Sequence, residues 1–156
     1  MRKSMAVFIA LAVLAAGGAA WATDTNTLTV QASVVGTCKF QAPKTSTLDF
    51  GALDPSVGVD KSVSTTTQFW CTKGVVTGPF TNDTGLHLAG GKNQMLDTGS
   101  GDVIPYTIDS LTPDLNPNVG PGTPRTLTIA GTVLGTDYTG KSAGTYADTV
   151  TLTINP

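Results

Sequence analysis

Thr27-Leu28-Thr29-Val30-Gln31-Ala32-Ser33-Val34, near the start of the chain, alternates strictly between polar and apolar residues. In an extended segment, Leu28, Val30, Ala32 and Val34 would all lie on one side. This period of two predicts a β-strand with one buried face. A strand close to a chain terminus can pair with its own sheet or with the sheet of a neighbouring molecule, and the pattern fits both.

The residues ahead of this stretch have the features of a secretory signal peptide. Arg2 and Lys3 give a positive start, residues 7–16 are an apolar run, and Ala20-Trp21-Ala22 fits a cleavage site. Cleavage after Ala22 would leave 134 residues, a length that suits one domain. The apolar run is shorter than the roughly 20 residues that span a bilayer, and so is every later one, so direct membrane insertion is not expected.

The composition beyond residue 22 favours strands and turns over helices. Thr is abundant, Gly and Pro are frequent, and Glu is absent. With 7 Lys and Arg against 11 Asp, the formal charge of this part is −4 and no basic cluster occurs. Binding to nucleic acid or to an anionic membrane is therefore not expected.

The two cysteines, Cys38 and Cys71, both follow the leader. An exported chain with an even pair predicts one disulfide, and two free buried thiols are the alternative. Cys38 continues the parity of Val34, and Cys71 ends a second alternating stretch that begins at Val63. Both side chains should point inward, as an inter-strand bridge requires.

Further alternating stretches, separated by turn residues, predict the remaining strands. They are Leu48–Gly51, Val63–Cys71, a broken strand within Val75–Phe80, Leu86–Leu88, Ile104–Ile108, Leu127–Val133 and Tyr146–Ile154. No helix is predicted, and Thr112–Pro124 should be irregular because it holds four prolines. Seven or eight short strands spaced by turns predict an all-β fold, a β-sandwich that is immunoglobulin-like in outline.

Several of these segments resemble, in order, the spore coat protein U family, which includes subunits of archaic chaperone–usher pili. The matching residues are the alternating segment before Cys38, Leu48-Asp49-Phe50-Gly51, Cys71 at a strand end, Ile104-Pro105-Tyr106-Thr107, Leu127-Thr128-Ile129-Ala130-Gly131, and the closing run from Ala143 to Ile154. The most specific of these is the G-T-Y-x-D-T-V-x-L-x-I pattern of that run, from Gly144 to Ile154.

The resemblance implies an incomplete immunoglobulin-like sandwich of about seven strands that is completed by a donor strand from another chain. In such pilins a periplasmic chaperone lends a strand during export. In the fibre, the N-terminal extension of another pilin subunit takes its place, after assembly at an outer-membrane usher. The implied location is the periplasm in transit, then a fimbria at the cell surface.

After the predicted signal peptide at 1–22, the resemblance divides the chain into a donor segment at 23–35 and a pilin domain at 36–156. The donor strand would present Leu28, Val30, Ala32 and Val34 to a neighbour. The acceptor groove would be formed with the C-terminal strand through Tyr146, Val150, Leu152 and Ile154. The alternative function is a spore-coat or surface adhesin, for which the loop Thr112–Pro124 would be the binding element.

Catalysis, metals and cofactors are not expected from the sequence. Asp97-Thr98-Gly99-Ser100 spells the loop of aspartic proteases, but their chemistry needs two such carboxylates and the chain has one copy. His87 is the only histidine, too few for a usual zinc site, and should point outward between two leucines.

The other candidate sites have simpler explanations. Pairing of Asp97 with Asp102, or of Asp109 with Asp114, matches no known calcium loop, so solvated turn aspartates are expected. Tyr106 and Tyr146 have inward parity and should pack in the core.

Overall fold

Two antiparallel sheets make up the fold, which the computed structural model describes for residues 22–156. The larger sheet has the strand order β1-β2-β6-β5-β4, and the smaller one consists of β3 and β7. The predicted all-β, immunoglobulin-like fold is confirmed. The strands are β1 Cys38–Phe40, β2 Lys61–Cys71, β3 Phe80–Asn82, β4 Asn93–Leu96, β5 Val103–Pro113, β6 Arg125–Val133 and β7 Leu152–Ile154.

The two central strands, β2 and β6, follow the alternation of the sequence. Every second residue of β6 from Arg125 to Val133 is buried, and the residues between are half-buried. On β2 the inward residues run from Val63 to Cys71 at the predicted parity. The pairing of Thr65 with Ile129 fixes the register, so the inward residues of both strands share one face.

The core on this face divides into two clusters. The first is built from Phe50, Ile104, Tyr106, Val133 and Tyr138. The second is built from Phe69, Cys71, Leu127 and Ile129, and the smaller sheet packs on it through Phe80, Leu152 and Ile154. The smaller sheet thus covers the second cluster, and the first cluster has no strand of that sheet against it.

The predicted disulfide joins Cys38 to Cys71. These residues are direct cross-strand partners on β1 and β2, with their Cα atoms 4.1 Å apart. Cys71 is fully buried. The bridge therefore ties the short edge strand β1 covalently to the long neighbouring strand β2.

A buried arginine at the start of β6 holds the long loop after β5. The Arg125 guanidinium donates to Asp114 at 2.8 Å and to Asn118 at 3.1 Å, and it lies 5.1 Å from the centre of the Phe69 ring. Burial disfavours the charged Asp114 carboxylate, but hydrogen bonds from Thr126, Arg125 and Asn116 lower its pKa to about 2. The predicted irregular region 112–124 is thus anchored at its ends.

Several predicted elements differ from those observed. Residues 48–51 form no strand, and the predicted strand Tyr146–Ile154 is reduced to β7 and a single bridge from Ala147 to Leu96. A one-turn helix, α1 Gly135–Tyr138, occupies part of a predicted loop. Strand β5 runs two residues into the predicted irregular region. Its Pro105 is tolerated inside the sheet because pairing with β6 begins only at Thr107.

The segment Leu86–Leu88 is not a strand, and its parity is the reverse of the prediction. Leu86 and Leu88 are exposed, whereas His87 is half-buried. The leucines do not face the core because His87 turns toward a buried carboxylate, which is described below.

The N-terminal segment forms no helix or strand between residues 22 and 37. The predicted strand Thr27–Val34 is therefore not formed as a strand in this chain. Leu28, Val30 and Val34 are 83%, 82% and 85% exposed. The predicted signal peptide lies outside the described residues, except for Ala22. Within residues 22–156, no helix has the length and hydropathy to cross a membrane.

Replacing both Cys38 and Cys71 by Ala should lower the free energy of unfolding by about 3–4 kcal/mol, because the bridge closes a loop of 33 residues in the unfolded chain. Urea unfolding of the oxidised protein and of the variant measures the difference. Adding reductant should weaken the wild type and leave the variant unchanged. A loss below about 1 kcal/mol would contradict the expectation.

Candidate functional site: an open groove in the sandwich

A groove of about 830 Å³ opens over the part of the core that the smaller sheet leaves uncovered. Its floor is the inner face of the larger sheet, contributed by three neighbouring strands. The floor residues are Thr65 of β2, Ile129 of β6, and Ile104, Tyr106 and Ile108 of β5. The floor is therefore mainly apolar, as the core of a sandwich would be beneath a further strand.

One wall of the groove is the segment from Ser46 to Leu53. Phe50 is buried on the first core cluster and Leu48 is half-buried, which explains their apolar alternation. Within the described chain, no residue of this wall forms a main-chain to main-chain hydrogen bond. The segment thus has the side-chain pattern of a strand without a partner.

The other wall is the closing run of the chain, from Ala143 to Asp148 with Val150 and Leu152. The main chain of Ala147 exchanges two hydrogen bonds with Leu96, at 2.9 and 3.1 Å. Further along, β7 pairs with β3. Between Ala147 and β7, the closing run forms no main-chain hydrogen bonds across the groove to other described residues. Main-chain N–H and C=O groups of successive residues in a strand point to opposite edges. The edge that faces the groove is thus free to accept a strand.

A buried carboxylate holds this second wall in place. The Asp148 side chain is 2% exposed; it accepts hydrogen bonds from the Tyr106 hydroxyl at 2.8 Å and the Leu86 main-chain N–H at 2.9 Å. Nδ1 of His87 lies 3.1 Å from the same carboxylate. Gly85 has a positive φ of 67°, and a Cβ there would collide with Asp148. The Asp148 side chain therefore connects the floor, the second wall and the 85–87 segment.

The charge state of this cluster follows from its surroundings. Burial opposes ionisation of Asp148, but hydrogen bonds from Tyr106, Leu86 and Thr149 outweigh it, and the pKa of Asp148 is lowered. Burial raises the pKa of Tyr106, and its hydrogen bond to Asp148 raises it further. At neutral pH the pair is thus a carboxylate and a neutral phenol, in which the phenol donates.

The protease-like motif also has a structural role. The Asp97 carboxylate accepts hydrogen bonds from the Ser100 hydroxyl at 2.6 Å and from the main-chain N–H groups of Ser100 and Gly99. These bonds lower the pKa of Asp97, the Ser100 hydroxyl most strongly. Gly144 of the second wall lies against the same carboxylate, with no room for a Cβ. The motif therefore caps the β4–β5 turn and supports the wall.

The predicted acceptor residues largely lie at this groove. Tyr146, Val150 and Leu152 line it and are half-buried. Ile154 does not line it and packs with the second core cluster instead. Within residues 22–156, no three His, Cys, Asp or Glu side chains are grouped so that they could hold a metal ion.

Sequence reasoning missed Asp148 and Arg125 as organising residues. Asp148 has the same parity as Tyr146 and Val150, so the alternation of the closing run places its carboxylate on the inward side, and that position was the available signal. Arg125 directly precedes the apolar alternation of β6 at an inward position. A charged residue on the inward parity of a strand indicates a buried partner.

Asp148→Asn should lower the free energy of unfolding at pH 7 by about 1–3 kcal/mol, because the amide cannot accept from Tyr106, Leu86 and His87 together. The pKa of Asp148 is lowered by folding, so its stabilisation is complete above the ordinary value of 3.8 and is lost as pH falls through the folded value. The difference between variant and wild type should therefore shrink as the pH falls below 3.8. Urea unfolding at pH 7 and pH 3 measures it.

Asp49→Asn is the matched control, because among residues 22–156 the exposed Asp49 carboxylate accepts only from Gly51 of its own turn. Equal losses for the two variants at pH 7 would contradict the role given to Asp148.

The comparison with known families agrees with this architecture. The sequence model of the Spore Coat Protein U domain matches residues 24–153, nearly all of the described chain. None of the curated proteins compared with the sequence matches it. That family is a structural, pilin-type domain and not an enzyme family. The matched span includes the predicted donor segment, both cysteines and both walls of the groove, and the chain belongs to the Spore Coat Protein U domain family.

Proposed function

We propose that the protein is a structural subunit of a surface fimbria assembled by donor-strand complementation. The N-terminal segment of one subunit inserts into the groove of the next, between Ser46–Leu53 and the closing run. The observation that carries this proposal is a groove with an apolar floor between two walls that both lack a main-chain partner on the groove side. An added strand would supply both apolar side chains to cover the floor and main-chain hydrogen-bond partners for the two walls.

The donor segment matches the groove in chemistry. In an extended strand, one side would carry Leu28, Val30, Ala32 and Val34. The large apolar side chains of this set are exposed and so are available for burial in a partner. Burying them against the floor contributes on the order of 5–10 kcal/mol before the cost of ordering. The polar residues between them would face solvent.

A strand explains the groove better than a small molecule does. A compact ligand could cover the apolar floor but would leave the main-chain groups along both walls without ladder partners. A strand of eight residues spans about 26 Å and can pair with both edges. The shape and the unpaired edges therefore favour a peptide segment.

The same features imply partners during export. An open apolar groove with free edges is prone to edge-to-edge aggregation. A periplasmic chaperone that lends a strand would protect it, and an outer-membrane usher would exchange that strand for the donor segment of another pilin subunit. The destination is then the cell surface, reached through the periplasm.

Val30→Asp should abolish polymerisation of the secreted chain, because a buried unpaired carboxylate costs several kcal/mol. Thr29→Asp is the matched control: it adds the same charge one residue away, on the side that faces solvent, and should still assemble. Electron microscopy and the sedimentation of surface material measure polymer formation.

A synthetic peptide with the sequence of residues 24–35 should also compete with assembly, and the same peptide with Asp at position 30 should not. Polymers of normal length from Val30→Asp, with no inhibition by the wild-type peptide, would refute the proposal.

A further inference from the structure

We propose that neighbouring copies of this chain make a second contact, between two exposed apolar patches at opposite ends of β2. This inference rests on the proposed function. The root patch consists of Val35, Val76, Leu115 and Val119. The far patch consists of Val57, Val59 and Leu134.

The root patch surrounds the point where the donor segment leaves the domain. The Thr72 hydroxyl donates to the Val35 carbonyl at 3.3 Å, and the Thr37 N–H donates to that hydroxyl at 3.1 Å. The Thr72 N–H donates in turn to the Thr37 carbonyl at 2.8 Å. The chain is therefore fixed to its own domain from Val35 onward.

Three further apolar side chains lie on segments that are tied to this point. The Asn118 side chain donates to the Val75 carbonyl at 2.6 Å, and the Gly74 N–H donates to the Asn118 carbonyl at 3.2 Å. These bonds join the 115–119 loop to the turn after β2. The exposed fractions are 76% for Val35, 84% for Val76, 102% for Leu115 and 44% for Val119.

The far patch lies at the other end of β2, beside the groove. The Tyr138 hydroxyl donates to the Val59 carbonyl at 2.7 Å, and the Gly135 N–H donates to Asp60 at 2.8 Å. These bonds join the 57–60 segment to α1. Val57, Val59 and Leu134 are 60%, 57% and 40% exposed. Tyr138 itself lines the groove, so the patch adjoins one end of it. The eleven residues of β2 separate the two patches by about 33 Å.

Chain connectivity brings the two patches together in a polymer. The closing run starts near Tyr138, because Tyr146 packs on the first core cluster with it. The run then leads to β7, whose Leu152 and Ile154 pack on the second core cluster. A strand that completes an antiparallel sheet runs the opposite way, so Val34 leaves the groove at the end near Tyr138. The next residue, Val35, is already bound to its own domain. Since one residue spans at most about 3.6 Å, the root patch of the donor must abut the far patch of the acceptor.

The contact is head-to-tail, so each subunit uses one patch toward each neighbour. Such a heterologous interface extends as an open filament. Both surfaces are apolar, and their burial would add to the stability that the donor strand provides. It would also limit the bending between consecutive subunits.

Charge exchange between the patches tests the inference in the full secreted chain. Val76→Asp with Leu115→Asp in the root patch should leave polymers that form but dissociate at least tenfold faster in urea. Val57→Lys with Val59→Lys in the far patch should do the same. Combining all four changes should bring the rate back to within a few-fold of wild type at low salt, because opposite charges then face each other, and added salt should remove this rescue.

Leu88→Asp serves as the control, because Leu88 is exposed and belongs to neither patch. It should leave the rate unchanged. Polymers of both patch variants with wild-type dissociation rates, or a combined variant no better than either one, would overturn the second contact while leaving strand donation intact. Failure of the wild type itself to polymerise, with Val30→Asp behaving identically, would overturn both.

Discussion

The structure depends on a mismatch between its two sheets. Five strands present an apolar inner face, and two short strands cover only the half of it around Phe69 and Leu127. The remaining half, around Ile104 and Tyr106, is the floor of the groove. Burial of apolar surface is the main driving force of folding, so an uncovered half-core leaves a large favourable contribution unused. In the proposed function, the donor segment of another chain supplies that contribution.

Polar contacts hold the second wall of the groove away from the floor. Without support, the walls could collapse onto the floor and close it. Instead, the second wall is held by Asp148 with Tyr106 and His87, by the main-chain bonds to Leu96, and by Asp97 against Gly144. The first two contacts are directional hydrogen bonds, which fix a position more strictly than apolar packing does, and the third is a close approach of the Asp97 carboxylate to the Gly144 backbone. The motif that looks catalytic in the sequence therefore belongs to the scaffold of the groove.

Alternation of polar and apolar residues indicates which side chains point inward. It predicted strands correctly where the main chain also pairs with a neighbouring strand. It located β2 and β6 and the inward parity of both cysteines. It failed as a predictor of strands at Leu48–Gly51 and at Tyr146–Val150, because inward side chains there are not accompanied by main-chain pairing. These two segments flank the groove. The alternation at Thr27–Val34 and at Leu86–Leu88 is likewise not accompanied by a strand. The short helix after β6 and the reversed parity of His87 could not be predicted, because both depend on contacts with residues distant in sequence.

The position of the disulfide has a mechanical consequence. A pull on the segment ahead of Val35 enters the domain within three residues of Cys38, at the edge strand β1. Three-residue strands unzip easily under tension, since their few hydrogen bonds break one after another. Here the load passes through a covalent bond into Cys71, at the end of the eleven-residue β2, which is paired on both sides within the sheet. Force is thereby applied along the long central strands, where many bonds must shear together before the domain can yield.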